Sequence, residues 1–405
     1  MYKKNISKLY AITVLNLLCT IAQSAHASAD YLTLIAGSPF DTTIYYPDSS
    51  VPFSDFPSSA AYSPDNQWLA VSDSAGGSQI VIFSVDNSST GTLTQVFNTY
   101  AEGGGPAAVA FSPFLNDTYY LAVANNGSGN VAVFSVEIST GMLTTVTFVD
   151  TGTNPTAVAY SPNGAYLAVA NQNSGTVTTF SVNSSNGELS YPPNNYQLTI
   201  PNPGEPYATM YSPDSRYLAV TDIANKIVAI YSVNSDGSIT FLQYSNVGHY
   251  PQSVAYSPDG KQLAVANQVD SSISIFSVDS STGLLTENFG SPFFPASLKN
   301  PLWVAYSPDS AYLLAPNSGN NTVTAFAVNT ASNPQTIIEI PGSPFATGTG
   351  TTTENTIAAV YSPNSEWVAA VNQTSNNVSV FATPPPATPG ATPFALRLIQ
   401  KYGGA

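Results

Sequence analysis

The stretch SVAYSPDGKQLAVANQVDSSISIFSVDSSTGLLTENF, residues 253–289, decides the fold. "SVAYSP" (253–258) reads as a short strand ended by Pro258, and "DGK" (259–261) as a hairpin turn. "QLAVAN" (262–267) is a second strand and "SISIFSV" (272–278) a third, with alternation of period two. "DSSTG" (279–283) turns the chain again into "LLTENF" (284–289), the fourth. Four antiparallel strands without a helical period make one blade of a β-propeller. The inner strands are apolar on both faces, with small Ala alternating with Val or aromatics. That pattern suits a sheet covered by neighbours on two sides.

Working outward, the same letters recur along the chain. An aromatic followed by Ser-Pro stands at Tyr62, Phe111, Tyr160, Tyr211, Tyr256, Tyr306 and Tyr361, a spacing of about 45–55 residues. The expected architecture is all-β, a seven-bladed β-propeller of four-stranded antiparallel blades over residues 30–382. Its ring has to close. After Phe381 the seventh repeat runs into "TPPPATPGATP" (383–393), whose prolines cannot donate regularly to a ladder. "LTLIAGSPF" (32–40) parallels "LTENFGSPF" (285–293), and "IEIPGSPF" (338–345) ends the same way. Residues 32–36 are therefore expected to be the fourth strand of the last blade. The rival for that place is "FALRLIQKY" (394–402); residues 383–405 are read as a Pro-rich linker and a tail that adds an outer strand or caps an edge.

Residues 1–29 read as an export signal: Lys3, Lys4 and Lys8 precede an apolar run (9–22) and small-x-small sites at 25–27 and 27–29. Thr13, Asn16 and Thr20 interrupt the run, so no membrane anchor is expected after cleavage. The expected location is secreted, periplasmic or cell-surface. Cleavage removes Cys19, the only cysteine, and His26, leaving His249 as the only histidine. Net charge moves from −15 to −18, because three lysines leave and no acid does. Such a surface repels nucleic acid and anionic membrane. Zinc and haem lack ligands, and oxygen-rich turns such as "DNSSTG" (86–91) read as plain hairpin loops; no metal or cofactor is expected, and the chain is read as a monomer.

The stretch "NPTAVAYSPNGAYLAVANQNSGTVTTFSV" (154–182) resembles the lactonase-like, YVTN-type seven-bladed propellers, a family that includes 6-phosphogluconolactonase and relatives of carboxymuconate cyclase. The third strands of the first five repeats end in "FSV" or "YSV", and no repeat carries the Trp-Asp dipeptide of WD repeats. The resemblance implies that loops before the first strands and between the second and third gather at one mouth of the central channel.

Two sets of residues then converge. The second strands end in Asp73, Asn125, Asn171, Asp222, Asn267, Asn317 and Asn372. These read either as ligand groups or as local hydrogen-bonding partners of the next turn. Before the first strands lie Glu102, Glu205, His249, Lys299 and Glu354. Glu205, Asp222, His249 and Lys299 come from adjacent blades: a His or carboxylate could act as general base, with Lys299 steadying an oxyanion. The other reading of these residues is solvated loop charge. Tyr207, Tyr250 and Trp303 follow closely, as sugar-stacking aromatics or as core. A Ser-His-Asp triad would need His249, and no G-x-S-x-G elbow is present.

Two functions remain. One is an exported propeller that binds a small molecule, carbohydrate, peptide or protein at its mouth, or serves as a scaffold. The alternative, implied by the resemblance, is a lactonase-like hydrolase or cyclase. A shortage of Arg and Lys argues for an unphosphorylated lactone or sugar acid.

Overall fold

The computed structural model describes residues 32–42, 56–74, 78–88, 90–101, 103–192, 197–199, 204–329, 336–348 and 355–383. These form seven antiparallel sheets, with no helix among them. Blades 1 to 6 occupy residues 57–100, 106–150, 155–199, 206–246, 251–293 and 301–346; blade 7 occupies 356–382 together with the N-terminal segment. First strands meet those of neighbouring blades, so they line the axis. In blade 5 the strands are Pro251–Tyr256, Gln262–Asn267, Ser272–Val278 and Leu285–Glu287. The first begins two residues earlier than "SVAYSP" suggests, because a proline is tolerated as the opening residue of a strand.

The repeated letters have identifiable work. In the turn after the first strand, the Ser257 hydroxyl donates to Asp259 (2.6 Å) and accepts the Gln262 N–H (2.9 Å). Ser63, Ser161, Ser212, Ser307 and Ser362 make the same two bonds in their own turns. Along the second strand, alternate side chains enter opposite interfaces: Leu69 and Val71 pack towards blade 7, Trp68 and Ala70 towards blade 2. The core of the described residues accordingly divides into seven clusters, one between each pair of neighbouring blades.

The ring closes through the N-terminal segment. Thr33–Leu34 and Phe40–Asp41 both pair antiparallel with Asn377–Ala382 of blade 7. The three "GSPF" copies share one geometry. Val380, Ile275 and Ala325 of the third strands donate their N–H groups to the hydroxyls of Ser38, Ser291 and Ser343, at 2.8, 3.0 and 3.0 Å. Pairing then resumes at Phe40, Phe293 and Phe345. The rival strand at 394–402 and the signal at 1–29 lie outside the described residues.

Blade 6 departs from the pattern at its inner edge. Its first strand pairs only at Pro301 and at Ala305–Tyr306, leaving Leu302–Val304 off the ladder. The facing residue is Pro316. Ser318, two positions on, donates its N–H to Asn300 O, so the missing N–H of Pro316 is one that would have faced the first strand. Freed there, Trp303 is half-buried and packs against the blade 7–blade 1 cluster.

Candidate functional site

The mouth is organised by the ends of the second strands. Asp73, Asn125, Asn171, Asp222, Asn267, Asn317 and Asn372 are all buried, and each pairs across from the residue that opens the first strand. Their acceptors hold the incoming loops: Asp73 takes the Phe56 N–H (2.9 Å), Asp222 that of Glu205 (3.1 Å), Asn267 that of Gly248 (3.1 Å) and Asn317 that of Lys299 (3.0 Å). Their amides reach the chain beyond: Asn125 donates to Ala101 O, Asn171 to Thr178, Asn267 to Ser274, Asn317 to Thr324 and Asn372 to Ser379. These bonds fix the incoming loops of blades 1, 4, 5 and 6 at the mouth. They are the local hydrogen bonds that Asn and Asp favour at turns.

On that frame the candidates separate. His249 is exposed, and its Nδ1 lies 3.0 Å from Asp270 Oδ2 in the turn between the second and third strands of blade 5. The same oxygen accepts the His249 backbone N–H at 2.7 Å. Partial burial pushes the Asp270 carboxyl up, but the His249 amide and ring, with the Lys226 ammonium nearby, outweigh it and hold it below the usual carboxylate range. A carboxylate on Nδ1 fixes the neutral ring with its proton there and leaves Nε2 as the base. The close approach depends on Gly248, where a Cβ would stand 2.7 Å from both Asn267 Cγ and Asp270 Oδ2.

Glu205 does not join this pair, and Lys299 makes no ion pair with it. Glu205 sits immediately before Pro206, whereas His249 and Lys299 stand two residues before theirs, at Pro251 and Pro301. The Glu205 carboxylate instead accepts a bond from Gln172 of blade 3, at 3.1 Å. Lys299 is exposed, and its loop is fastened to blade 5 where the Asn300 N–H donates to Ser271 Oγ (3.2 Å). Glu102 and Glu354 lie outside the described residues. Tyr207 is half-buried, and burial, with Tyr250 beside it, pushes its phenol up. Tyr250 is 45% exposed. Trp303 belongs to the blade 7–blade 1 packing described above.

The group that sequence reasoning missed is Asp270, and a signal for it existed. Three residues past the second-strand Asn or Asp, blades 2 to 7 carry Ser128, Ser174, Asn225, Asp270, Asn320 and Ser375. Only one of these is an acid.

The described cations also divide by face. Arg216 and Lys261, in the turns at the far end of the first strands, are paired with Asp214 (2.7 Å) and Asp259 (3.3 Å). Lys226 and Lys299, at the mouth, form no ion pair with a described residue. Each flanks the His249–Asp270 pair, Lys226 through the Val247 N–H that its carbonyl accepts (3.0 Å) and Lys299 through Asn300.

The sequence matches the family described as "Lactonase, 7-bladed beta-propeller" over residues 38–146, 107–204 and 206–298. No curated protein sequence matches the chain. Three solved structures show the same fold. A Bacteroides fragilis protein assigned as a 6-phosphogluconolactonase is 18% identical with a TM-score of 0.62, covering 78% of this chain and 96% of its own. The periplasmic gluconolactonase PpgL of Pseudomonas aeruginosa is 20% identical with a TM-score of 0.58, over 71% and 86% of the two chains. The hydrazine synthase of Kuenenia stuttgartiensis is 18% identical with a TM-score of 0.63, over 84% and 99%. Chemistry so varied on one scaffold means that the site, and not the fold, has to carry the function.

Proposed function

We propose, from the premise that this chain belongs to the lactonase family of seven-bladed β-propellers, that its mouth at blades 4 to 6 opens an unphosphorylated lactone outside the cytoplasm. The observation that carries this reading is the His249–Asp270 pair, Nδ1 to Oδ2 at 3.0 Å, beneath an exposed ring. Nε2 takes a proton from water as its oxygen bonds to the lactone carbonyl carbon. Lys299 steadies the charge that develops on the carbonyl oxygen. Collapse of the tetrahedral intermediate breaks the bond to the ring oxygen, which takes the proton back from Nε2 and leaves as the hydroxyl of the product acid.

An unphosphorylated substrate is favoured because Lys226 and Lys299 are point charges on separate loops, and no arginine fork stands near them among the described residues. The mature protein is tested on D-glucono-1,5-lactone, D-galactono-1,4-lactone and 6-phosphogluconolactone, with His249→Ala as control. Turnover is expected on an unphosphorylated lactone, falling roughly 10²-fold or more in the variant. Equal turnover in the variant removes His249 from the mechanism.

A second reading is binding without chemistry, at the same mouth. It is favoured by Glu205, which is tied to Gln172 and so leaves the dyad without a second carboxylate. Absence of turnover on every lactone decides for it.

A further inference from the structure

Two long side chains at this mouth stand in backbone conformations that their sister blades fill with Gly, Ser or Asn. In the turn between the second and third strands, the left-handed position is taken by Ser78, Gly129, Gly175, Ser271, Asn321 and Asn376, and in blade 4 by Lys226 at φ 57°. Immediately before the first strand it is taken by Gly105, Asn154, Asn300 and Asn355, and in blade 5 by Tyr250 at φ 59°. The backbone demand comes from the repeat; the side chains do not. Left-handed geometry suits Gly and Asn and is a steric penalty for lysine and tyrosine. Such penalties persist where the surroundings enforce them, and they gather at functional sites.

The two outliers are neighbours. The Lys226 carbonyl accepts the Val247 N–H at 3.0 Å, two residues before His249. Its ammonium acts on Asp270, and Tyr250 follows His249 directly and lies beside Tyr207. Neither group is taken up in close packing or pairing: Lys226 makes no ion pair with a described residue, and Tyr250 is 45% exposed. In a chain of net charge −15, Lys226 and Lys299, the mouth cations without an ion pair to a described residue, both flank one dyad.

We infer that Lys226 and Tyr250 are the ligand-holding groups of this mouth, Lys226 receiving the carboxylate of a sugar-type ring that carries one such group and Tyr250 stacking on the ring. A lone ammonium matches a monoanion; an aromatic face with a polar tip matches the C–H face of a hydroxylated ring. The inference rests on the mouth being the ligand site and names the class of compound it takes.

The test is calorimetric binding to the mature protein, with D-glucuronate as the charged probe, D-glucose as its neutral counterpart and inorganic phosphate as a competitor. The variants carry the sister residue: Lys226→Asn and Tyr250→Asn. Glucuronate is expected to bind at least 10-fold tighter than glucose, with phosphate a poor competitor. Lys226→Asn erases that preference, Tyr250→Asn weakens both sugars, and each variant melts at or above the wild-type temperature. Equal binding of the two sugars by the wild type, binding of neither, or a preference that survives Lys226→Asn overturns the inference. So does a lower melting temperature in both variants, which makes the side chains structural. Lys226-dependent glucuronate binding without hydrolysis of any lactone upholds the inference and overturns only the hydrolase reading.

Discussion

Blades 3 and 5 are built to the same plan at the mouth and differ in what they carry. In blade 3 the Thr153 N–H donates to Ser174 Oγ at 3.2 Å; in blade 5 the His249 N–H donates to Asp270 at 2.7 Å. Asn173 and Val269 send their N–H groups back to the carbonyls of Thr153 and His249. Gly152 and Gly248 both lie tight against the turn: a Cβ would crowd Ser174 Oγ most closely and then Asn171 Cβ (2.7 Å) in one, and would meet Asn267 Cγ and Asp270 Oδ2 (both 2.7 Å) in the other. The frame is common. Blade 3 fills it with hydroxyls, whereas blade 5 puts an imidazole and a carboxylate in the same seats. The repeat therefore supplies placement, and departures from the repeat supply chemistry.

The sharpest way to break the comparison is to give blade 5 the blade 3 turn residue. Asp270→Ser keeps an acceptor for the His249 N–H but removes the partner of the ring. Turnover is expected to fall on the order of 10²-fold, with a small drop in melting temperature at neutral pH. Next in size are the two glycines. Gly152→Ala and Gly248→Ala should each cost about 1–3 kcal/mol in denaturant unfolding, from overpacking against the turn. Only Gly248→Ala should also depress turnover, because only there does the added methyl meet a residue of the dyad.

A pH titration separates the blades further. The folded Asp270 carboxyl lies below its unfolded value, so its contribution to stability is present above the unfolded pKa, near 4, and is lost as pH falls through the folded one. The melting difference between wild type and Asp270→Ser should thus close below about pH 4. Blade 3 variants at Ser174 should show no such dependence. The smallest effect is expected at blade 6. Pro316→Ala restores an N–H facing the first strand, and amide exchange should slow around Val304 without a change in turnover.

Most of the fold was legible because its letters are mechanical. The Ser-Pro-Asp turn and the "GSPF" outer strand recur with the same hydrogen bonds, so matching 32–40 to 285–293 was enough to place the N-terminal strand on blade 7. The broken inner strand of blade 6 was signalled by Pro316, which stands where sister strands carry Ala, Ser, Thr or Val. The site was legible only in part. His249 stood out as the only histidine among the described residues, yet grouping it with Glu205 ignored a one-residue offset from the proline, and that offset sends Glu205 towards Gln172. The strain at Lys226 and Tyr250 is invisible in either letter alone. It emerges when each is compared with the Gly, Ser or Asn that its sisters place at the same backbone conformation.

The central claim is that blade 5 differs from blade 3 in chemistry and not in architecture. The direct measurement is lactone turnover and unfolding free energy for the double variant His249→Thr with Asp270→Ser, which rewrites one blade as the other. The account predicts stability within about 0.5 kcal/mol of the parent and turnover lowered as far as in His249→Ala, roughly 10²-fold or more. Undiminished turnover, or a collapse of stability, would contradict it.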